Sequence, residues 1–121
     1  MRAYKIFIVE DDEWYGEILQ YHLNLNPDYE VTLFKTAKEC LSHMSLLPDL
    51  ITLDFSLPDL TGDKLFKKIK ERNPHVPVIM ISSQEDISVA VNLLKLGASD
   101  YLIKDEATKD LLSNSIIRIR E

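Results

Sequence analysis

Apolar residues along this chain gather in short unbroken runs, and the stretches between the runs carry apolar positions at steps of three and four. Residues 5–9, 30–34, 50–54, 76–81 and 101–103 are the runs. They are rich in Ile, Val, Leu and Phe and read as strands β1 to β5. Residues 13–25, 37–44, 63–72, 87–96 and 108–120 carry the longer period and read as helices α1 to α5. In the first helix Trp14, Ile18, Tyr21 and Leu25 mark the spacing; in the third, Leu65, Phe66 and Ile69 lie on one side.

The boundaries have chemical reasons. Asp12 and Thr36 stand where N-caps belong, and Asn26-Pro27-Asp28 and Asn73-Pro74 stop the helices before them. Gly97 sits where a left-handed residue closes a helix. Strand then helix, five times over, argues for a parallel sheet covered on both faces, an α/β doubly wound fold. Continuous runs such as VPVIMI, in place of alternation, agree with burial on both sides. Right-handed crossovers leave few topologies, and ligands of such sheets bind beyond the carboxyl ends of the strands.

The chain has 121 residues, 45% of them hydrophobic, which suits one domain over 1–121 with a full core. Its net charge of −6 disfavours direct contact with nucleic acid or an anionic membrane. Cys40 is the only cysteine, so no internal disulfide forms, which suits the cytoplasm. No apolar run approaches the roughly 20 residues that span a bilayer. The opening MRAYKIFIVEDD ends its apolar run in acids, unlike a cleaved leader, and reads as a strand.

The strand ends change the picture. The first strand runs into Glu10-Asp11-Asp12, the third ends at Asp54, the fourth at Ser82-Ser83 and the fifth at Lys104. In a parallel sheet all of these reach one edge. Taken singly, each has an ordinary reading: a helix cap, a loop carboxylate, a loop hydroxyl, a solvated lysine. Together they do not. Clustered carboxylates raise one another's pKa, and a hard divalent cation relieves that cost. Mg²⁺ held by few protein ligands calls for a phosphoryl partner.

The segments IFIVEDD, PDLITLDFSLPDLTG, PVIMISS and GASDYLIK, in that order and spacing, resemble the receiver domain of two-component response regulators over essentially the whole chain. The resemblance implies the flavodoxin-like (βα)5 fold with strand order 2-1-3-4-5. It implies that Asp54 accepts a phosphoryl group from a sensor histidine kinase. Glu10, Asp11, Asp54 and the backbone carbonyl of Ser56 would hold Mg²⁺. Ser82 and Lys104 would contact the phosphoryl group, Ser82 and Tyr101 would switch the α4–β5–α5 face, and Ser56 and Gln84 would tune loss of the group. Such a protein is not an enzyme beyond its own phosphorylation and slow dephosphorylation. Its switched face would control an output domain, as in transcription regulation, or a partner protein, or would pair with a second copy.

Two departures from the family pattern stand out. Asp105 follows Lys104 where proline, often cis, is common; a non-proline cis bond costs about 3 kcal/mol, so a trans bond is expected. Asp105 also stands beside Lys104 as a competing partner. Glu10 replaces the commoner aspartate. On α4, Ile87, Ala90, Val91 and Leu94 make one apolar stripe and Val89, Leu93 and Leu96 a second; the second is expected to be partly exposed and to meet a partner or another copy. Rival readings are weaker. An FMN binder needs a hydroxyl- and glycine-rich loop where EDDEW stands, and an aspartyl phosphatase needs an acid at position 56, which is Ser56. A degenerate receiver acting as a phosphorylation-independent interaction module is the remaining alternative. The chain ends on IIRIRE, read either as a single-domain receiver or as the first domain of a longer regulator.

Overall fold

The computed structural model describes residues 2–83 and 87–121. Five strands, β1 (Tyr4–Val9), β2 (Tyr29–Phe34), β3 (Leu50–Leu53), β4 (Val78–Ser82) and β5 (Asp100–Ile103), form one parallel sheet in the order β2-β1-β3-β4-β5. The helices are α1 (Glu13–Asn24), α2 (Ala37–Ser42), α3 (Gly62–Arg72), α4 (Ile87–Lys95) and α5 (Thr108–Arg120). This is the doubly wound arrangement the alternation predicts, with the flavodoxin-like strand order the resemblance implies. No helix among the described residues is long and apolar enough to cross a membrane.

Both faces of the sheet are apolar because successive strand residues point to opposite sides. Ile6, Ile8, Leu50, Ile79 and Ile81 pack with Leu19 and Leu23 of α1 and Leu112 and Ile116 of α5. Phe7, Val9, Ile51, Leu53 and Met80 pack on the other side with Cys40 of α2, Leu65, Phe66 and Ile69 of α3, and Leu93 of α4. Burying a side chain of this size contributes roughly 1.5–3 kcal/mol, so the two layers fix the sheet firmly beneath its carboxyl edge.

The caps fall where expected. The Asp12 carboxylate accepts from Tyr15 N, and the Thr36 hydroxyl accepts from Glu39 N. The end of α4 is a Schellman turn: Gly97 has φ +111°, its N–H donates to Leu94 O, and Ala98 N donates to Leu93 O. Differences in extent are small and local. The second helix ends at Ser42 and continues as a 3₁₀ turn over Met44–Leu46. The fourth strand begins at Val78, after Pro77, which has no N–H to donate to a ladder.

Two helix faces differ from expectation. Trp14, Tyr21 and Leu25 of α1 are exposed, and the buried side is Gly16, Leu19 and Leu23. On α4 the second stripe is divided: Leu93 is 1% exposed and Val89 packs on the core, whereas Leu96 of that stripe faces outward together with Ile87, Val91 and Leu94 of the first. Helical spacing gives the period of an apolar stripe but not which of two stripes meets the sheet.

Candidate metal and phosphoacceptor centre

Three site residues are each placed by a hydrogen bond that continues the sheet one step past its strand. Glu10 N donates to Phe34 O, Asp54 N to Val9 O, and Lys104 N to Ser82 O, each at 2.9 Å. Residues far apart in sequence are thereby locked to one edge. One carboxylate oxygen from each of Glu10, Asp11 and Asp54 lies within 4.8 Å of the others. Glu10 and Asp54 are buried and Asp11 is exposed, so the trio forms a cup open at one side.

Lys104 reaches into the cup. Its Nζ is 2.7 Å from Glu10 Oε1 and 3.5 Å from Asp54 Oδ1. Glu10 Oε2 accepts from Asp12 N at 3.1 Å, so both oxygens of this buried carboxylate have donors. The nearby Ser56 N–H favours the charged form of Asp54. When all are ionised, three carboxylates face one ammonium, an excess of two negative charges. Burial pushes Glu10 up to about 7, helped by the Asp54 charge and only partly offset by Lys104 and the Asp12 N–H. Burial likewise raises Asp54, against the pull of Lys104. For Lys104 burial works downward, but the bond to Glu10 and the attraction of both acids outweigh it and the pKa rises.

A small, hard, divalent cation fits this donor set. The oxygens are convergent, the charge deficit matches, and the buried acids are strained toward protonation without it.

The loop after β3 is built to hold Asp54 still. A Cβ on Gly62 would stand 2.5 Å from Asp54 O and 2.7 Å from Phe55 Cα, so only glycine lets α3 start this close to Asp54. The Gly62 N–H donates to Phe55 O at 2.7 Å. Further along the loop, the Asp59 carboxylate accepts from Ala37 N and Lys38 N at 3.0 and 2.9 Å, capping α2 from 21 and 22 residues away.

The other expected residues are placed as follows. Ser82 ends β4, fully buried, in register with Ile103. Tyr101 is half-buried on β5 and packs against the α2–α3–α4 side. Ser56 lies exposed in the β3–α3 loop, bridged to Thr61. Gln84 lies outside the described residues. Every described peptide bond is trans, the Lys104–Asp105 bond included. In place of a proline, the turn is held by Thr108, whose hydroxyl accepts from Asp105 N and donates to Ile103 O, both at 2.8 Å. Asp105 accepts from Ala107 N and is exposed, so it does not take Lys104 from the acids. Three residues the sequence reading did not single out also matter here: Tyr15, whose ring lies under the Lys104 ammonium, Asp59 and Gly62.

A doubly wound parallel sheet with an acid trio and a lysine on its carboxyl edge agrees with a receiver domain. The chain belongs to the response regulator receiver domain family, which matches residues 6–115. The transcriptional regulatory protein CssR of Bacillus subtilis is 35% identical over 98% of this chain and 51% of its own length. The phosphate regulon transcriptional regulatory protein PhoB of Rhizobium meliloti is 31% identical over 90% of this chain and 49% of its own. The chain therefore spans about half the length of these relatives. Among solved structures, the non-phosphorylated HemR receiver domain from Leptospira biflexa aligns with a TM-score of 0.86 at 29% identity, covering 95% of this chain and 92% of that one. The BeF3-activated DrrB receiver domain aligns with a TM-score of 0.87 at 26% identity, covering 97% of each chain.

Proposed function

We propose that Asp54 accepts a phosphoryl group from a sensor histidine kinase and that the resulting charge switches the α4–β5–α5 face. One observation carries this reading: Glu10, Asp11 and Asp54 bring carboxylate oxygens within 4.8 Å of one another while Lys104 Nζ stands 3.5 Å from Asp54. Glu10, Asp11, Asp54 and the Ser56 carbonyl are the ligands we assign to Mg²⁺. The ion, when bound, supplies positive charge to the transferring phosphoryl oxygens.

An Asp54 carboxylate oxygen attacks the donor's phosphorus, the bond to the histidine nitrogen breaks, and an acyl phosphate remains. Lys104 neutralises charge on the transferring group. No general base is required, because a carboxylate is already the nucleophile once ionised. The new group adds about 1.5 to 2 negative charges and three acceptor oxygens. We assign Ser82 to bind one of these oxygens and Tyr101 to follow it inward, which biases a two-state surface. Ser56 and Gln84 are assigned to tuning the lifetime of the group.

The exposed Ile87, Val91 and Leu94 stripe of α4 supports a contact surface on this face for an output domain, a partner or a second copy. Regulation of transcription by a longer protein containing this domain agrees with the names of the relatives. The test is phosphotransfer from a histidine kinase or acetyl phosphate to wild type and Asp54→Asn, followed by a measurement of size. Labelling of wild type alone supports the reading. No labelling under donor excess with Mg²⁺ favours a phosphorylation-independent module.

A further inference from the structure

The Lys104 ammonium has a third neighbour besides its two acids. Its Nζ lies 4.7 Å from the centroid of the Tyr15 ring, within the range where an ammonium is attracted to an aromatic face. Tyr15 is half-buried on the first turn of α1 and packs on the core layer shared with α5. Its hydroxyl oxygen is buried beside the Thr108 hydroxyl but short of hydrogen-bonding geometry. The neighbouring Thr108 hydroxyl donates instead to Ile103 O. The ring, not the hydroxyl, is therefore the part of Tyr15 that engages the site.

The distances show why a third holder matters. Lys104 leans 0.8 Å closer to Glu10 (2.7 Å) than to Asp54 (3.5 Å). On the phosphoacceptor reading, on which this inference rests, a cation draws Glu10 away and the shorter contact is given up. A carboxylate partner competes with the cation; an aromatic face does not, because it offers no oxygen to the metal. The geometry points to Tyr15 as a positioning residue whose ring keeps the Lys104 ammonium at the mouth of the site when Glu10 turns to the cation.

The test uses the full chain with Mg²⁺ and beryllofluoride, and wild type, Tyr15→Phe, ring-fluorinated analogues of Tyr15→Phe, and Tyr15→Leu. Fluorination drains charge from the ring face at nearly constant shape, so packing alone cannot account for a graded effect. Tyr15→Phe should bind beryllofluoride like wild type, and affinity should fall with each added fluorine, reaching a loss on the order of tenfold. The proton resonances of the Lys104 ε-methylene should be ring-shifted in wild type and Tyr15→Phe and return to ordinary lysine values in Tyr15→Leu. Equal affinity across the fluorinated series, or no ring shift in wild type, overturns the inference. Wild type that binds no beryllofluoride would instead strike at the phosphoacceptor reading, and the ring shift then tests the Lys104 placement by itself.

Discussion

Lys104 Nζ stands 2.7 Å from Glu10 Oε1, and this pair closes the carboxyl edge of the sheet. The glutamate is 2% exposed and titrates at about 7 against an ordinary 4.5. Its proton is held more tightly in the folded chain than in the unfolded one. Between pH 4.5 and 7 the folded state therefore binds more protons, and stability falls as pH rises through that window. Asp54, also raised, acts with the same sign. Glu10→Gln should remove most of the slope and be more stable than wild type at pH 8, by on the order of 3 kcal/mol at most, with the gap closing near pH 4.5. Urea unfolding at several pH values measures it. Mg²⁺ should flatten the wild-type slope by displacing the proton, and removal of Mg²⁺ with a chelator should restore it. A wild-type slope unchanged in Glu10→Gln would count against the buried-acid account.

Gly62 is required by contact, not by turn geometry. Gly62→Ala would force a methyl against Asp54 O and Phe55 Cα, backbone atoms that cannot step aside. A loss of about 1–3 kcal/mol in unfolding free energy is expected, with weaker Mg²⁺ binding because Asp54 is displaced. Retention of both wild-type stability and Mg²⁺ affinity would show that the loop yields easily.

Asp59 ties the β3–α3 loop to α2 by accepting from two helix N–H groups. Asp59→Ala should cost about 1 kcal/mol, the usual worth of a helix cap, while Asp59→Asn keeps part of it. Hydrogen exchange at Ala37 and Lys38 should accelerate in the alanine variant. Unchanged exchange at those two amides would show that Asp59 does not protect them.

The two stripes of α4 make opposite predictions. Leu93→Glu buries a charge against the core and should unfold the domain or cost several kcal/mol. Val91→Glu and Leu94→Glu, on the exposed stripe, should fold normally and lower the association or partner affinity of phosphorylated protein. Circular dichroism and sedimentation separate these outcomes. A folded Leu93→Glu, or outward variants without effect on association, would contradict the assignment.

Most of the fold could be read from the chain because both faces of its strands are apolar. Runs such as IFIV and VIMI fill two layers at once and leave little ambiguity between strand and loop. The acids, hydroxyl and lysine were legible for a topological reason: each lies at or just past the end of a strand, and parallel strands end together. What stayed hidden depends on long-range contact or on a choice between equivalent patterns. Asp59 has no local signal, since the amides it caps lie 21 and 22 residues earlier. Tyr15 beside Trp14 looks like either of two helix aromatics, and only packing decides that Tyr15 turns to the site while Trp14 faces outward. The apolar steps in α1 and α4 fixed the helices but not their rotation about the axis.

Intact-mass analysis after incubation with a small phosphoryl donor and Mg²⁺ reaches the central claim most directly. Wild type should gain a single phosphoryl adduct that peptide mapping assigns to Asp54, lost on chelation of Mg²⁺ before donor addition and absent in Asp54→Asn. An adduct on another residue, or an equal adduct in Asp54→Asn, would contradict the account.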